Sequence, residues 1–283
     1  MNIKLLIFMM LMLASSVRPG MADDLAPTQQ LEGFNLNGYT NSGKKSWEIN
    51  GDKADINDQT IKVTNVNANL YDPKQNANLK SKSGVINKEN GDVHLQDDVI
   101  VTADSGTTMT TDSLDWSRNK DLVKTDDKVT IEDDKGTVTG HGLVGHPNLK
   151  QAQLNEDVKA TINTGRSKAL SGSLVQITCD GAMEVDQLKM TAVFNKNVVA
   201  KELQTGRQLS ADKMTIWFDD KNKKLKKLVC TGHVVATQGN NSTYADEMIY
   251  TGDDQRLTMT GRPKLIFDSG SEGSNNLFDK MGH

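Results

Sequence analysis

The sequence predicts an all-β protein made of repeated antiparallel strand units. Three observations carry this. Outside the first two dozen residues no segment holds the 3.6-residue apolar period of a helix. Short runs of alternating apolar and polar residues recur along the remaining chain, each with one greasy and one wet face. Turn-forming stretches separate them at Lys88–Gly91, Asp133–Gly136, Asp219–Asn222 and Thr251–Asp254.

The units align on Val99, Val129, Val158, Val198, Val234 and Pro263, spaced by 30, 29, 40, 36 and 29 residues. Six before each anchor stand Val93, Val123, Ala152, Ala192, Leu228 and Leu257. Four before stand Leu95, Thr125, Leu154, Phe194, Cys230 and Met259. Two after stand Val101, Ile131, Ala160, Ala200, Ala236 and Leu265. With Pro263 counted as apolar, 23 of these 24 positions are apolar, Thr125 being the exception, against roughly 9 expected at 36% hydrophobic content. Three before each anchor, on the opposite parity, every residue is polar: Gln96, Asp126, Asn155, Asn195, Thr231 and Thr260. Two before, a polar residue or Gly interrupts the apolar face (Asp97, Asp127, Glu156, Lys196, Gly232, Gly261), which predicts a bend or bulge splitting each unit into two short strands. An earlier unit, Ile61 to Leu70, fits if one residue is missing at that bend. Stacked units of this kind enclose one apolar interior.

The chain has 283 residues, enough for one long or two ordinary domains, and its 5% aromatic content leaves Val, Leu, Ile and Met to build the core. Lys4, the apolar run Leu5–Ala14, and small residues at Gly20 and Ala22 read as a secretory signal peptide over residues 1–22. The run is well short of the ~20 residues that span a bilayer; an uncleaved anchor is the competing reading. The spacing across 163–172 is the longest and the pattern there the weakest, so these residues are read as a hinge or linker. Residues 269–283, rich in Gly, Ser and Asn, are expected to be a disordered tail. An exported chain could oxidise Cys179 and Cys230, the only cysteines, to a disulfide; two buried thiols are equally compatible with their strand-like surroundings.

Several chemistries find no support. The net charge is -4 and cations are dispersed, so no nucleic-acid face is visible. The cluster Lys221, Lys223, Lys224, Lys226 and Lys227 reads as solvated, beside Asp219 and Asp220. Gly140–Gly145 matches the dinucleotide pattern GxGxxG, but His146-Pro147 and another strand unit follow it instead of the helix that pyrophosphate binding needs. His141 and His146 lie five apart, on opposite faces of an extended strand, with no joining ligand cluster, so no metal site is expected. The Asp doublets recur at strand ends, where local backbone bonding favours Asp. No nucleophile has a base nearby, nothing binds a cofactor, and no enzymatic site is expected. Trp47, Trp116 and Trp217 are isolated and read as packing residues.

Particular phrases carry a resemblance. The first half contains Gly33-Phe34-Asn35-Leu36-Asn37-Gly38-Tyr39, Trp47-Glu48-Ile49-Asn50-Gly51-Asp52-Lys53-Ala54, Met109-Thr110-Thr111-Asp112-Ser113-Leu114-Asp115-Trp116 and Val138-Thr139-Gly140-His141-Gly142-Leu143. Over residues 31–162 this resembles the LptC family of lipopolysaccharide-export proteins. The second half contains Ser210-Ala211-Asp212-Lys213-Met214, Cys230-Thr231-Gly232-His233-Val234, Tyr244-Ala245-Asp246-Glu247-Met248 and Thr260-Gly261-Arg262-Pro263. Over residues 173–268 it resembles the LptA/OstA family. The resemblance implies an open, twisted β-jellyroll in two consecutive modules. It also implies a periplasmic bridge carrying lipopolysaccharide from an inner-membrane ABC transporter complex toward outer-membrane assembly proteins. LptC-type proteins usually keep an N-terminal membrane anchor, and here the leader looks cleavable, which separates this chain from that pattern.

The expectation is therefore an exported lipopolysaccharide-binding bridge component, associating head to tail through edge strands. Its groove would be lined by the inward face: Val93, Leu95, Val99, Val101, Val129, Ile131, Leu154, Val158, Phe194, Val198, Leu228, Val234, Met259 and Leu265. Exposing an acyl chain costs about 0.8 kcal/mol per CH₂, so ~10 kcal/mol for a dozen carbons, and a continuous apolar face removes that cost. The competing reading is a structural β-repeat envelope protein without lipid cargo.

Overall fold

The computed structural model describes residues 29–39, 42–71, 76–163, 174–221 and 224–267. The leader at 1–22, the linker at 163–172 apart from residue 163, and the tail at 269–283 lie outside them. The described chain is antiparallel β-structure, with only two short 3-10 turns, Arg118–Lys120 and Pro147–Leu149. It forms two compact units that part at Asp127/Lys128.

The first unit is a meander of β1 (Gln29–Tyr39), β2 (Lys45–Ile56), β3 (Thr60–Leu70), β4 (Ala77–Asn87), β5 (Val93–Ala103) and β6 (Thr108–Ser117), each paired antiparallel with the next, followed by the start of β7 (Leu122–Asp133). The second unit continues with β8 (Gly136–His146), β9 (Gln151–Asn163), β10 (Leu174–Cys179), β11 (Met183–Asp186), β12 (Thr191–Glu202), β13 (Gln208–Phe218), β14 (Leu225–Gln238), β15 (Asn241–Thr251), β16 (Arg256–Thr260) and β17 (Lys264–Ile266). Two strands of this unit are broken in the middle. β10 and β11 lie one after the other between β9 and β12, and β16 and β17 lie one after the other along β15.

The bend expected two residues before each anchor is present before Val99, Val198, Val234 and Pro263 and has a specific backbone form; before Val158 the turned residue is Asp157. Asp97 and Asp98, Lys196 and Asn197, Gly232 and His233, and Gly261 and Arg262 all have positive φ, and Asp157 does so alone. Pairing registers jump at the same places: Gln96/Val99, Asn195/Val198 and Thr231/Val234. Each is a β-bulge, two residues facing one across the ladder, which bends the strand. Leu95 and Val99 are both buried, four residues apart, while Gln96, Asp97 and Asp98 between them face solvent.

The partner strands turn the same corner with one residue fewer. Their buried pairs are three apart: Ser81 and Gly84, Thr111 and Leu114, Ala211 and Met214, Ala245 and Met248. Leu95 faces Leu114 and Val99 faces Thr111; Phe194 faces Met214 and Val198 faces Ala211; Cys230 faces Met248 and Val234 faces Ala245. From β4 to β6 and from β12 to β15 three-spaced and four-spaced strands thus alternate, whereas β3 and β4 are both three-spaced, Val63 facing Gly84 and Val66 facing Ser81.

Glycine is required at one of these corners for two reasons. Gly232 has φ +76°, and a Cβ there would overlap the Asp212 carboxylate on the neighbouring strand. The solvent side of the corner is clamped by polar pairs: Asn65 donates to Asp52 at 2.5 Å, Lys82 meets Asp98 at 2.6 Å, Asn197 donates to Asp180 at 2.7 Å, and His233 meets Asp212 at 2.8 Å.

In the first unit the two outward half-faces differ in chemistry. On one side of the corner Glu32 faces Lys53, Asp55 faces Lys62, and His94 faces Asp115. On the other side Asn35 faces Asn50, which faces Asn67, and Asn69 faces Asn78, which faces Thr102.

Candidate functional site

Among the described residues, the main candidate is the apolar interior of each unit. In the first, Ala54, Ile61, Val63, Val66, Leu95, Val99 and Leu114 form one buried cluster; Phe34, Leu79, Ile86, Val93, Val101, Met109 and Val123 pack against it only half-buried. The interior is thus packed most tightly along the corner, with flanks that are mostly half-buried, Ile61 being a buried flank residue.

The sequence-derived inward positions divide accordingly. Leu95, Val99, Val129, Leu154, Val158, Phe194, Val198 and Val234 are buried, and the last six apart from Leu154 are at most 1% exposed. In this structure they offer a ligand almost no surface. Val93, Val101, Ile131, Leu228 and Met259 are half-buried and hold the flanks. Leu265 faces Thr243, a buried residue, so its register is inward, yet it is 41% exposed. The reason is its place in a three-residue terminal strand, where little covers it. Ala152, one of the aligned positions, is likewise exposed near the end of its strand.

Thr125, the polar exception in the repeat, is buried, and its Oγ1 lies 3.4 Å from that of Thr111 and accepts the Asp127 amide at 3.1 Å. The interior at this point satisfies its hydroxyls locally. Of the expected outward positions, Gln96 and Thr260 are exposed, while Asn195 is half-buried because its Nδ2 donates to the Ala182 carbonyl and the Glu184 carboxylate.

The cysteines are both buried free thiols. Cys179 lies on β10 and Cys230 on β14, with β12 and β13 between their strands, so a bridge would need the backbone to move. Burial pushes the Cys230 thiol up to about 12, and it raises Cys179 as well, so neither is a thiolate at neutral pH.

Gly140–Gly145 lies wholly within β8, with no helix after it. His141 sits at the corner, 3.6 Å from Asp157, and His146 at the strand end. Among the described residues no three His, Cys, Asp or Glu gather where a metal could be held. Trp47 lies over Gly38, whose missing Cβ makes room for the ring, and Trp217 carries the Lys227 ammonium 5.4 Å from its centroid.

A depression of mixed lining lies on the second unit, with a cavity of about 350 Å³ between Val144, Val185 and Val193 and the polar His146, Glu184 and Asp186. The Asp186 carboxylate is held at about 2 by the Lys189 backbone amide, then the Gln151 amide and the Lys189 side chain, which marks a strand-end turn rather than an acid or base.

Apart from Val63 and Val66, the corner's three-spaced pairs fall outside the repeat read from the sequence. Their signal is the small residue, polar residue, any residue, apolar residue run of Ala211–Met214 and Ala245–Met248.

Residues 5–163 match the family model described as lipopolysaccharide-assembly, LptC-related. Residues 176–277 match the model described as LptA/(LptD N-terminal domain) LPS transport protein. No curated protein matches the chain.

Proposed function

The chain belongs to the LptC-related family of lipopolysaccharide-assembly proteins, and on that premise we propose that it carries lipopolysaccharide with the acyl chains held against the half-buried flanks of its interior. A role in lipopolysaccharide transport follows from the two family matches, which are to non-enzymatic transport families, and the chain is not an enzyme. The observation that supports the finer reading is the division of the inward face. A purely structural repeat would be packed across its whole width, whereas here packing is nearly complete along the corner and mostly partial beside it, Ile61, Ala160, Ala192 and Ile216 being buried exceptions.

In this reading the corner line, Val99, Val129, Val158, Val198 and Val234, holds the strands at a fixed bend, and Val93, Val101, Ile131, Leu228, Met259 and Leu265 touch lipid. The modules are residues 31–162 and 173–268, joined at 163–172. The chain works in the periplasm between an inner-membrane ABC transporter complex and outer-membrane assembly proteins. It joins its neighbours head to tail: among the described residues of the first unit β1 pairs with β2 alone, and in the second β17 pairs with β15, so each offers an edge able to recruit a strand. Residues 1–22 export it. Intact mass of protein made in a bacterial envelope decides whether they are removed. A mature start at Asp23 is expected, and a mass retaining residues 1–22 in the membrane pellet would replace the cleaved leader with an anchor.

The reading as a whole is tested by mass spectrometry of lipid extracted from protein purified out of envelopes, with lipopolysaccharide binding measured in vitro. Lipid A ions in the extract and saturable binding are expected. A lipid-free protein that also fails to bind would leave the structural β-repeat reading in its place.

A further inference from the structure

The outward half-face of the first unit that carries asparagine has no task in lipid transport, because it lies on the opposite side of the sheet from Leu79, Val101 and Met109, which pack against the core. We propose that this face binds a neutral glycan strand, rich in hydroxyl and acetamido groups, that is not part of the cargo.

Six asparagines form it: Asn35, Asn37, Asn50, Asn67, Asn69 and Asn78. Thr102, Thr108 and Thr110 extend it onto β5 and β6, and Glu48 and Lys80 are the charged residues among them. The amides are ordered by one another. Asn35 donates to Asn50 at 2.5 Å and to Glu48 at 2.8 Å, and Asn78 donates to Asn67 at 2.9 Å and to Asn69 at 2.8 Å. Tyr71 donates its hydroxyl to Glu48 at 3.2 Å, fixing the carboxylate at one end of the face. Among the described residues, Asn37 Oδ1 is the one buried side-chain oxygen or nitrogen without a hydrogen-bond partner, and it belongs to this face. A buried acceptor left unpaired is costly, and a ligand N–H or O–H would relieve it.

The chemistry of the face narrows the occupant. A nucleic acid or an anionic polymer needs several unpaired cations, and here there are Lys80 and, at the edge of the face, Lys45, whose ammonium is paired with Glu48 at 3.0 Å. A protein partner brings and meets apolar anchors, and Ile100 is the one apolar side chain in these rows. Carboxamides and threonine hydroxyls offer donors and acceptors side by side, repeated at the strand spacing of about 4.8 Å. Sugar hydroxyls and acetamido groups along an extended chain are complementary to that repeat. The sugar part of a cargo lipid is a poorer fit, since its acyl chains would be seated on the other side of the sheet.

The asparagine geometry stands apart from the lipid reading, while the exclusion of the cargo rests on that reading, and the test uses the full mature chain. The probe is the β-1,4-linked hexamer of N-acetylglucosamine, titrated calorimetrically and by side-chain amide NMR shifts. Saturable binding is expected, with shifts confined to the six asparagines. Asn69→Asp keeps the side-chain shape but sets a second carboxylate beside Glu48, and is expected to weaken binding at least tenfold with unchanged circular dichroism. Lys62→Gln, on the charged half-face, is expected to stay within twofold. No binding at the solubility limit of the hexamer would overturn the proposal, as would equal shifts on the Lys62 side. So would asparagine shifts that grow with protein concentration without sugar, which would make the occupant a second copy, or tighter binding of delipidated lipopolysaccharide, which would make it the cargo.

Discussion

The corner line and the flanks are made of the same residues, Val, Leu, Ile, Met and Phe, on the same parity of the same strands, yet they differ in what surrounds them. Val99, Val129 and Val198 are 0% exposed, whereas Val93, Val101 and Ile131, six before or two after an anchor, are half-buried. The difference arises at the bulge. Bending each strand there brings its two halves toward each other, and side chains nearest the bend meet first and pack fully. Those farther out lie where the halves have separated. Hydrophobicity alone therefore does not mark a ligand-facing residue in such a repeat; distance from the bend contributes, together with side-chain size and cover from neighbouring strands, since Ala160 and Ala192 lie off the corner and are buried.

The comparison can be broken by mutation, starting from the corner. Phe194→Ala removes a ring that is 1% exposed, and is expected to cost about 3–5 kcal/mol, read as a shift in the urea midpoint at unchanged slope. A loss below about 1 kcal/mol would mean that the corner is not the packed element described here. Gly232→Ala should cost about 1–3 kcal/mol, because it adds a Cβ at φ +76° against the Asp212 carboxylate. Adding Asp212→Ala to it should recover the steric part of the loss and leave the backbone part. At the flank, Met109→Ala should cost only about 1 kcal/mol of stability, its ring of neighbours being incomplete, while lowering lipopolysaccharide binding severalfold. Equal losses at Met109 and Phe194 would erase the distinction between the two regions.

The smallest effect expected is electrostatic. Hydrogen bonding to Asp212 raises the His233 imidazole above its ordinary value near 6.5. A raised folded-state value means that the pair contributes stability below pH 6.5 and loses it as the pH rises through the higher folded value. The His233 titration followed by NMR should therefore have a midpoint above 6.5, and Asp212→Asn should return it toward 6.5.

Much of this division was legible in the sequence, and its limits are instructive. The bulges announced themselves as a polar residue or Gly two before each apolar anchor, and the structure has positive φ at Asp97, Lys196, Gly232 and Gly261 among them. What period-two reading could not follow is the partner strand, which crosses the corner with one residue fewer. Ile61–Leu70 looked like a unit with a missing residue. It is a three-spaced strand, with Val63 and Val66 both buried and Asn65 turned at φ 53°. Ala211–Met214 and Ala245–Met248 escaped the alignment for the same reason. Exposure within the inward face was also invisible: Leu265 has the same parity as Val234 and Val198, and only its place in a short terminal strand exposes it. The asparagine face was hidden because its members come from four strands and join only through register.

The central claim, that lipid touches the flanks and not the corner or the outer face, is tested most directly by photo-crosslinking in living cells at three positions. Ile100 and Val101 are adjacent apolar residues of opposite parity on β5, and Val99 beside them is the packed corner. A photoreactive residue at Val101 is expected to capture lipopolysaccharide, and the same residue at Ile100 or Val99 is not. Equal capture at Ile100 and Val101, or capture at Val99 alone, in protein that keeps its circular dichroism, would contradict the account.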